Sequence, residues 1–144
     1  MADSKRSDPY QSYRFHVEID GLTRGSFKQA SGLDVTSDVV QYREGKDPPT
    51  ARKLSGLTTY SPIVLQRGIT DDHFLWEWKQ GTVGGNTERK NGSIVLFDDA
   101  GNEKLRWNFT NAWISSWKGP AFDASKSDVG IESVELQHEG VSKK

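Results

Sequence analysis

The chain has 144 residues, of which 33% are hydrophobic and 10% aromatic; it has no cysteine, and its net charge is -1. The aromatic content argues against a disordered chain, and the length suits one domain with one core. The balanced charge provides no basic face for non-specific binding to nucleic acid or membranes. The lack of cysteine excludes disulfides and thiolate metal sites.

The first part of the chain predicts a polar lead followed by three strands. Residues 1–11 form the predicted flexible lead of a single domain over 12–144, and the polar start, MADSKRSDPY, contains no secretory signal or membrane span. YRFHVEID (13–20) alternates apolar and polar residues, which is the period of a half-buried strand. SFKQASGL (26–33) and TSDVVQYRE (36–44) predict two further strands.

A long irregular segment follows. GKDPPTARKLSGLTT (45–59) breaks the alternation with two prolines and two glycines, and it predicts a long loop bounded at 43–59. Loops of this length in a small domain are usually functional or mobile. Its basic residues, Lys46, Arg52 and Lys53, leave three interpretations open: a patch for a polyanion, a solvated loop, or a contact arm that reaches a neighbouring copy.

A short apolar strand, PIVLQR (62–67), leads into the predicted helix. TDDHFLWEWKQG (70–81) can be capped by Thr70 or Asp71. One side of this helix carries an apolar stripe formed by Phe74, Leu75 and Trp78. Trp76 lies well round from that stripe, so the helix has to bury two of its sides. A strand with Phe74, Trp76 and Trp78 on one face is the alternative.

The last third of the chain predicts a hairpin and a final strand. GTVGGNTERKNG (81–92) is a polar link, and SIVLFDDAGNEKLRWNF (93–109) has the signal of a hairpin with DDAGN as its turn. The second hairpin strand runs on, because one parity is shared by Leu105, Trp107, Phe109, Trp113 and Trp117. This predicts one long strand, or two joined by a bend near Asn111. A loop (118–128) then precedes the last strand, DVGIESVELQHEG (128–140).

About seven strands and one helix predict a mainly β domain. Mostly antiparallel connections favour an antiparallel β-sandwich or a partly closed barrel. The motifs of catalysis are missing: there is no paired-histidine zinc helix, no phosphate loop and no nucleophile elbow. We therefore expect no enzyme, no catalytic residue, no metal site and no cofactor.

Five stretches of the chain, taken in order, resemble a known family. They are YRFHVEIDG, FKQASGLD, YREGKDPPTARKLSG, IVLQRGITDDHFLWEWKQG and VELQHEG. Together they span about residues 13–140 and resemble the tail-tube family, the inner tube proteins of contractile phage tails and of extracellular contractile injection systems. The set is similar also to the haemolysin-coregulated protein of type VI secretion. Its most specific pieces are SGL, EG followed by RKLSG, and an apolar strand, RG and a Trp-bearing helix.

The resemblance implies a structural role. Subunits would join their sheets edge to edge into hexameric rings with one continuous barrel, and the rings would stack into a hollow tube. A contractile sheath would drive this tube through a target envelope, and the lumen would conduct a protein effector or DNA. The implied partners are further copies, the sheath protein, baseplate or spike proteins, tube-terminating proteins and the cargo, with no membrane and no specific nucleic-acid site. Assembly is expected in the cytoplasm, for a phage tail or an extracellular phage tail-like particle.

The resemblance also implies roles for residues. The long loop would reach a neighbouring subunit in the same or the adjacent ring, through Glu44, Gly45, Lys46, Arg52, Lys53, Leu54 and Gly56. The helix would pack on its own sheet through Phe74, Leu75 and Trp78, with Trp76 at or near a subunit contact. The candidate lumen-facing residues come from two strands that alternate polar and apolar residues: Ser37, Asp38, Gln41, Glu132, Ser133, Glu135 and Gln137.

A carbohydrate-binding β-sandwich is the competing hypothesis. It would use the five tryptophans as exposed sugar platforms. The alternation of Trp107, Trp113 and Trp117 favours a core position for them instead. Within the tube hypothesis, an almost neutral chain does not distinguish a phage tail from an injection system.

Overall fold

The computed structural model describes residues 14–23, 27–43, 45 and 52–144 as antiparallel strands and one helix. The strands are β1 (Phe15–Ile19), β2 (Leu22–Thr23), β3 (Gln29–Ser31), β4 (Val35–Tyr42), β5 (Arg52–Tyr60), β6 (Ile63–Gly68), β7 (Lys90–Phe97), β8 (Glu103–Lys118), β9 (Ile131–Gln137) and β10 (Val141–Lys143), and the helix is α1 (Phe74–Val83). The predicted mainly β, antiparallel class with one helix is confirmed, and the strand alternative for the helix is wrong. The predicted lead lies outside the described residues.

Eight of the strands form one continuous hydrogen-bonded sheet. Its order is β2-β1-β7-β8-β9-β6-β3, and β10 also pairs with β8. This path begins at β2 and ends at β3, so the described strands do not close into a barrel. β8 joins the two halves, because its first part pairs with β7 and its second part with β9. The core lies between the halves and α1, and its buried side chains are Val17, Ile19, Phe27, Ile63, Leu65, Leu75, Trp78, Ile94, Phe109, Ala112, Ile114, Val134 and Leu136.

β8 is one strand of 16 residues with three register irregularities, one of them near its start between Glu103 and Leu105. The next is a bulge at Asn111, whose φ is +51°. It moves the core-facing positions by one residue, so Ile114 is fully buried and Trp113 is only half-buried. The third register shift, near Ser115, restores the original parity, and Trp117 packs against the core again. The predicted seam of one parity is therefore wrong at Trp113.

The start of α1 differs from the predicted cap. The N–H of Phe74 donates to the Asp72 carboxylate over 3.0 Å, and the N–H of Asp72 donates to the Thr70 hydroxyl over 3.1 Å. His73 occupies the N-cap position without a side-chain hydrogen bond. The predicted caps, Thr70 and Asp71, are wrong, because Asp72 accepts the bond from the first helical N–H.

β3 to β6 form one long hairpin that bends in its middle. β3 pairs with β6 in the main sheet, whereas β4 pairs with β5 in a separate two-stranded sheet, which we call the arm. A backbone hydrogen bond of 3.1 Å from Ser61 to Asp34 connects the two parts. Gly32 lies at the bend with a φ of +94°, and a Cβ there would come within 2.0 Å of the Pro62 carbonyl oxygen. Only glycine fits this position.

The predicted loop over 43–59 is wrong for residues 52–59, which belong to β5. These residues pair with β4, for example Lys53 with Gln41 and Thr58 with Ser37. Arg52, Lys53 and Leu54 are therefore exposed strand residues rather than loop residues. Gly56 did not end the strand, because a bulge accommodates it opposite Asp38. Gly45 lies in an exposed turn, whereas Glu44 and Lys46 lie outside the described residues.

Candidate assembly interface

The arm leaves large apolar side chains exposed. Their exposed fractions are 73% for Leu57, 65% for Val39, 59% for Val35, 50% for Leu54, 48% for Val40 and 41% for Tyr42. An isolated two-stranded hairpin is marginally stable in water at best, and a cluster of exposed apolar side chains usually marks a binding surface. The arm is therefore the strongest candidate for an assembly interface.

The candidate lumen residues of the arm lie on two opposite faces. Ser37 and Gln41 share one face, on which the Ser37 hydroxyl lies 2.8 Å from the Thr58 hydroxyl. Asp38 and Val40 lie on the opposite face, because side chains alternate along a strand. A Cβ added at Gly56 would be 3.0 Å from Val40 Cγ2 and 3.3 Å from Asp38 Cβ. The prediction that Ser37, Asp38 and Gln41 all face the lumen is therefore wrong, because Asp38 lies on the face opposite to Ser37 and Gln41.

The predicted lumen residues of β9 also lie on two opposite faces of their strand. Ser133, Glu135 and Gln137 lie on one face and are half-buried, and their lumen position stays a prediction. Glu132 lies on the core face and is only 6% exposed. It pairs there with the guanidinium of Arg67, so the prediction that Glu132 faces the lumen is wrong.

Arg67 holds β6, β9 and the segment before α1 together. Its Nε donates to Glu132 Oε1 over 3.0 Å, one Nη donates to Asp72 Oδ2 over 3.0 Å, and the other donates to the Asp72 carbonyl oxygen over 2.9 Å. The ring centroid of Phe27 lies 5.6 Å from its Cζ. Sequence reasoning missed this network, although a cation on β6 and an anion on β9 both occupy positions of core parity.

α1 packs on β8 through its buried side. Leu75 and Trp78 are buried, and the Trp78 indole N–H donates to the Glu88 carbonyl oxygen over 2.8 Å. The half-buried ring of Phe74 lies 5.8 Å from that of Trp78. Lys79 Nζ reaches the carbonyl oxygens of the β8 bulge near Ser115, at 3.3 and 3.2 Å. These contacts set the helix rigidly against the sheet.

A second side of α1 carries Trp76. Its side chain is 44% exposed, and its ring stands edge-on to that of Trp117, with 4.7 Å between the centroids. All five tryptophans lie in the described ranges, and Trp76 is the exposed one. One such ring, edge-on to another, does not form the row of platforms that sugar binding would use. A subunit contact at Trp76 stays a prediction.

An apolar groove opens beside the edge strand β3. It consists of two adjoining cavities of about 340 and 170 Å³, which share Leu33 and Trp107. The other apolar residues of the groove are Phe15, Ala30, Val35, Tyr60, Ile94, Leu96 and Val141. Lys28, Gln29, Asp34 and Lys143 complete it. The groove lies between the two halves of the sheet, on the side where no described strand joins them.

Charged groups on the outer face of β1 and β8 stabilise one another. Arg106 binds Glu103 over 2.8 Å and Glu18 over 2.9 Å. Hydrogen bonding to Arg106 lowers the pKa of Glu103, and hydrogen bonds first with Glu103 and then with Glu18 raise the pKa of Arg106. Such pairs hold their charge and suit a structural surface rather than proton transfer.

The described residues include no group of three His, Asp or Glu side chains arranged to hold a metal ion. In the same parts of the chain, no helix has the length and apolar character needed to cross a bilayer.

Comparisons with known proteins agree with this architecture. The chain is 29% identical to a chain of the sheath-tube complex of PVC, an extracellular contractile injection system, with a TM-score of 0.85 over 94% of this chain and 91% of that one. It is 28% identical to a chain of the tube-terminating cap of the anti-feeding prophage, with a TM-score of 0.88 over 99% and 95%. Hcp1 from Flavobacterium johnsoniae shares the fold, at 22% identity and a TM-score of 0.56 over 90% and 93%.

The comparison with curated protein sequences gave no match. The family model of the T4-like virus tail tube protein gp19 matches residues 11–142, which is most of the chain. The chain therefore belongs to the T4-like tail tube protein family.

Proposed function

We propose that this chain is the inner-tube subunit of a contractile injection machine. Hexameric rings of the subunit stack into a hollow tube, which a contracting sheath drives through a target envelope. The observation that carries this proposal is the arm, whose apolar side chains are exposed in a chain with a mean hydropathy of -0.72. Family membership agrees with it. The function is structural, and no step of it requires chemistry.

The open sheet supports assembly into a ring. The sheet ends at β2 on one side and at β3 on the other. Exposed edge strands promote unwanted pairing in a monomer, and a closed multi-subunit barrel removes them. In the proposed ring, neighbouring sheets join at such edges. The face of β9 that carries Ser133, Glu135 and Gln137 lines the lumen, where these polar groups meet water and cargo.

The proposed partners follow from the assemblies in which similar chains occur. Those assemblies include the PVC sheath-tube complex, a PVC sheath/tube terminator and the baseplate of the anti-feeding prophage. We therefore assign to this chain a sheath protein, a baseplate with its spike, a terminating protein and a luminal cargo, either a protein effector or DNA. Assembly takes place in the cytoplasm, for a phage tail or an extracellular tail-like particle.

Negative-stain electron microscopy of the purified chain at low and high concentration tests the proposal. Rings with a central hole and six-fold class averages, or stacked tubes, are the expected result. Because tubes can require nucleation, the experiment is repeated with isolated cognate baseplates. Monomers under all of these conditions would contradict the proposed function. No observation among the described residues favours the carbohydrate-binding alternative, and glycan titration followed by tryptophan fluorescence is expected to show no change.

A further inference from the structure

We propose that His138 fixes the direction in which the arm points from the body of the subunit, meaning the main sheet with α1. Among the described strands, β4 and β5 pair with each other and with no strand of the body, and all eight residues of β4 are exposed. A strand that lay on the body would be covered along one face. The direction of the arm is therefore set at its root, where residues 34–35 enter β4 and residues 60–61 leave β5.

His138 joins this root to the body through a hydrogen bond. Its ring nitrogen Nε2 lies 2.9 Å from the carbonyl oxygen of Ser61, and 77 positions of the chain separate the two residues. The other ring nitrogen, Nδ1, accepts the N–H of Gly140 over 3.2 Å. His138 itself lies between β9 and β10. One side chain thus connects the turn after β9 with the point at which the chain leaves the arm.

These two partners define the state of the half-buried ring. A carbonyl oxygen accepts hydrogen bonds and does not donate them, so Nε2 carries a proton and donates it to Ser61. A backbone N–H donates and does not accept, so Nδ1 carries no proton. The arrangement fits one neutral tautomer of the imidazole. Both ring nitrogens are bound to backbone groups, which gives the side chain a defined position from which to hold Ser61.

The turn that carries His138 is anchored on β8. The N–H of Glu139 donates to the Thr110 carbonyl oxygen over 2.9 Å, and the N–H of Thr110 donates to the Gly140 carbonyl oxygen over 3.2 Å. Since β8 runs through the middle of the main sheet, the ring of His138 is tied to the most central strand of the body.

The root of the arm adds two contacts of its own. The ring centroid of Tyr60 lies 5.9 Å from that of His138. The N–H of Ser61 donates to the Asp34 carbonyl oxygen over 3.1 Å, which ties the two strands of the arm to each other. The bond from His138 to Ser61 therefore holds both strands, because they move together at this point.

A small rotation at the root becomes large at the tip of the arm. Val35 and Tyr42 begin and end β4. They are about 23 Å apart at roughly 3.3 Å per residue. A rotation of about 10° at the root would move the tip by about 4 Å, whereas neighbouring strands of a sheet are about 4.8 Å apart. The root has to be fixed if the arm is to occupy the same position in every copy.

Two conservative substitutions separate the two hydrogen bonds of the ring. His138→Asn keeps an acceptor for the Gly140 N–H, because asparagine side chains commonly accept the N–H two residues on, but it is too short to reach Ser61. His138→Gln is longer, and its amide N–H can donate to the Ser61 carbonyl oxygen. The glutamine variant is therefore expected to keep the direction of the arm, and the asparagine variant is expected to lose it.

Double electron–electron resonance measures this direction in the isolated subunit. The chain has no cysteine, so introduced cysteines carry spin labels at chosen positions. One label is on the arm, at Ser55→Cys, and the second is on the body, at Gln80→Cys of α1 or Ser142→Cys of β10; all three positions are exposed. Monomer fractions diluted with unlabelled chain give distances within one subunit. Narrow distance distributions are expected for the unaltered chain and His138→Gln, and distributions at least twofold broader for His138→Asn.

Two controls check that the body is intact. The distance between labels at Gln80 and Ser142, neither of which is on the arm, is expected to be the same in every variant. His16→Asn is the matched substitution, because His16 lies on β1 with its ring centroid 4.6 Å from that of Phe97. It is expected to leave all three distances unchanged.

The remaining outcomes would overturn the proposal. They are a narrow arm distance in His138→Asn, a distribution in His138→Gln as broad as that in His138→Asn, and a broad arm distance in the unaltered chain. A change of the body distance in His138→Asn would also contradict it, because His138 would then support the general fold rather than the arm.

The measurement uses the monomer and does not depend on the proposed tube. A chain that never assembles would contradict the proposed function, and the distances would still decide the role of His138. Broad arm distances in His138→Asn combined with normal rings and tubes of the unaltered chain would confirm both.

Discussion

Replacing Arg67 by methionine removes the cation from a buried ion network while keeping an unbranched side chain. The side chains of Arg67 and Glu132 are 3% and 7% exposed, and their Nε and Oε1 atoms are 3.0 Å apart. The substitution leaves the Glu132 carboxylate buried without this partner. It also removes the two hydrogen bonds that hold Asp72 beside the start of α1.

The expected cost is large. Removing one partner of a buried ion pair typically destabilises a protein by about 3–5 kcal/mol, because an uncompensated charge stays behind. Whole domains are stable by only about 5–15 kcal/mol, so Arg67→Met is expected to leave a marginal fold. The double variant Arg67→Met with Glu132→Leu is expected to recover most of this loss, since it leaves neither charge of the pair in the core. The side chain of Asp72 is 44% exposed and can turn to water.

Urea unfolding followed by tryptophan fluorescence measures these free energies. The measurements use low protein concentration, because assembly raises apparent stability by mass action. Arg89→Met is the matched control: Arg89 and Glu139 are 50% and 58% exposed and 3.9 Å apart, so a change within about 0.5 kcal/mol is expected. The reasoning fails if Arg67→Met costs no more than this control, or if the double variant is as unstable as the single one.

Three further single substitutions test stability, and one double substitution tests assembly. Lys79→Met is expected to cost about 1.5–3 kcal/mol in urea, because its ammonium binds two carbonyl oxygens of the β8 bulge. Gly32→Ala is expected to lower thermal stability by at least about 1–3 kcal/mol, because its φ is +94° and a Cβ would clash with backbone. Asp98 accepts backbone hydrogen bonds, first among them that of Asn102, which lower its pKa below 3.8. Above pH 3.8, the unaltered chain should therefore be more stable than the Asp98→Asn variant. This advantage should vanish as the pH falls through the lowered pKa of Asp98. Changing Arg52 and Lys53 to Glu is expected to leave the monomer folded but to shorten or abolish tubes.

Each of these predictions has a control or a contradicting outcome. Lys104→Met is the control for Lys79, since its side chain is 40% exposed and its ion pair with Asp98 is on the surface. Gly45→Ala is the control for Gly32, because a Cβ at Gly45 meets nothing within 4 Å. Equal losses in either comparison would contradict the assigned contacts. Stability curves that stay apart at the lowest pH would contradict the Asp98 assignment, and tubes of normal length would count against a contact role for Arg52.

Much of the fold could be predicted because alternation is a local pattern. YRFHVEID contains β1 and SIVLFDDAGNEKLRWNF contains a hairpin, since apolar and polar residues alternate there without interruption. The prediction failed over 52–59, where Gly56 and the preceding prolines suggested a loop. Pairing with β4 decides that these residues are a strand, and a bulge absorbs the glycine. Propensity near a single glycine does not contain that information.

The candidate site was predicted less well, because the face of a residue depends on register. The bulge at Asn111 shifts parity along β8, and Trp113 consequently leaves the core seam. Alternation along a strand already places Ser37 and Asp38 on opposite faces, and likewise Glu132 and Ser133. The prediction nevertheless assigned all four to the lumen because all four are polar. A charge at a core position looks like a surface charge until its partner on another strand is known.

The sequence by itself determined the β-rich class, the single helix and the family, because these follow from local periodicity and from the order of motifs along the chain. The tertiary structure decided which residues serve the core and which are left exposed. Arg67 and Glu132 meet across 65 positions of the chain. The groove joins residues from β1, β3, β7, β8 and β10. These features arise from contacts between distant segments, and no local pattern encodes them.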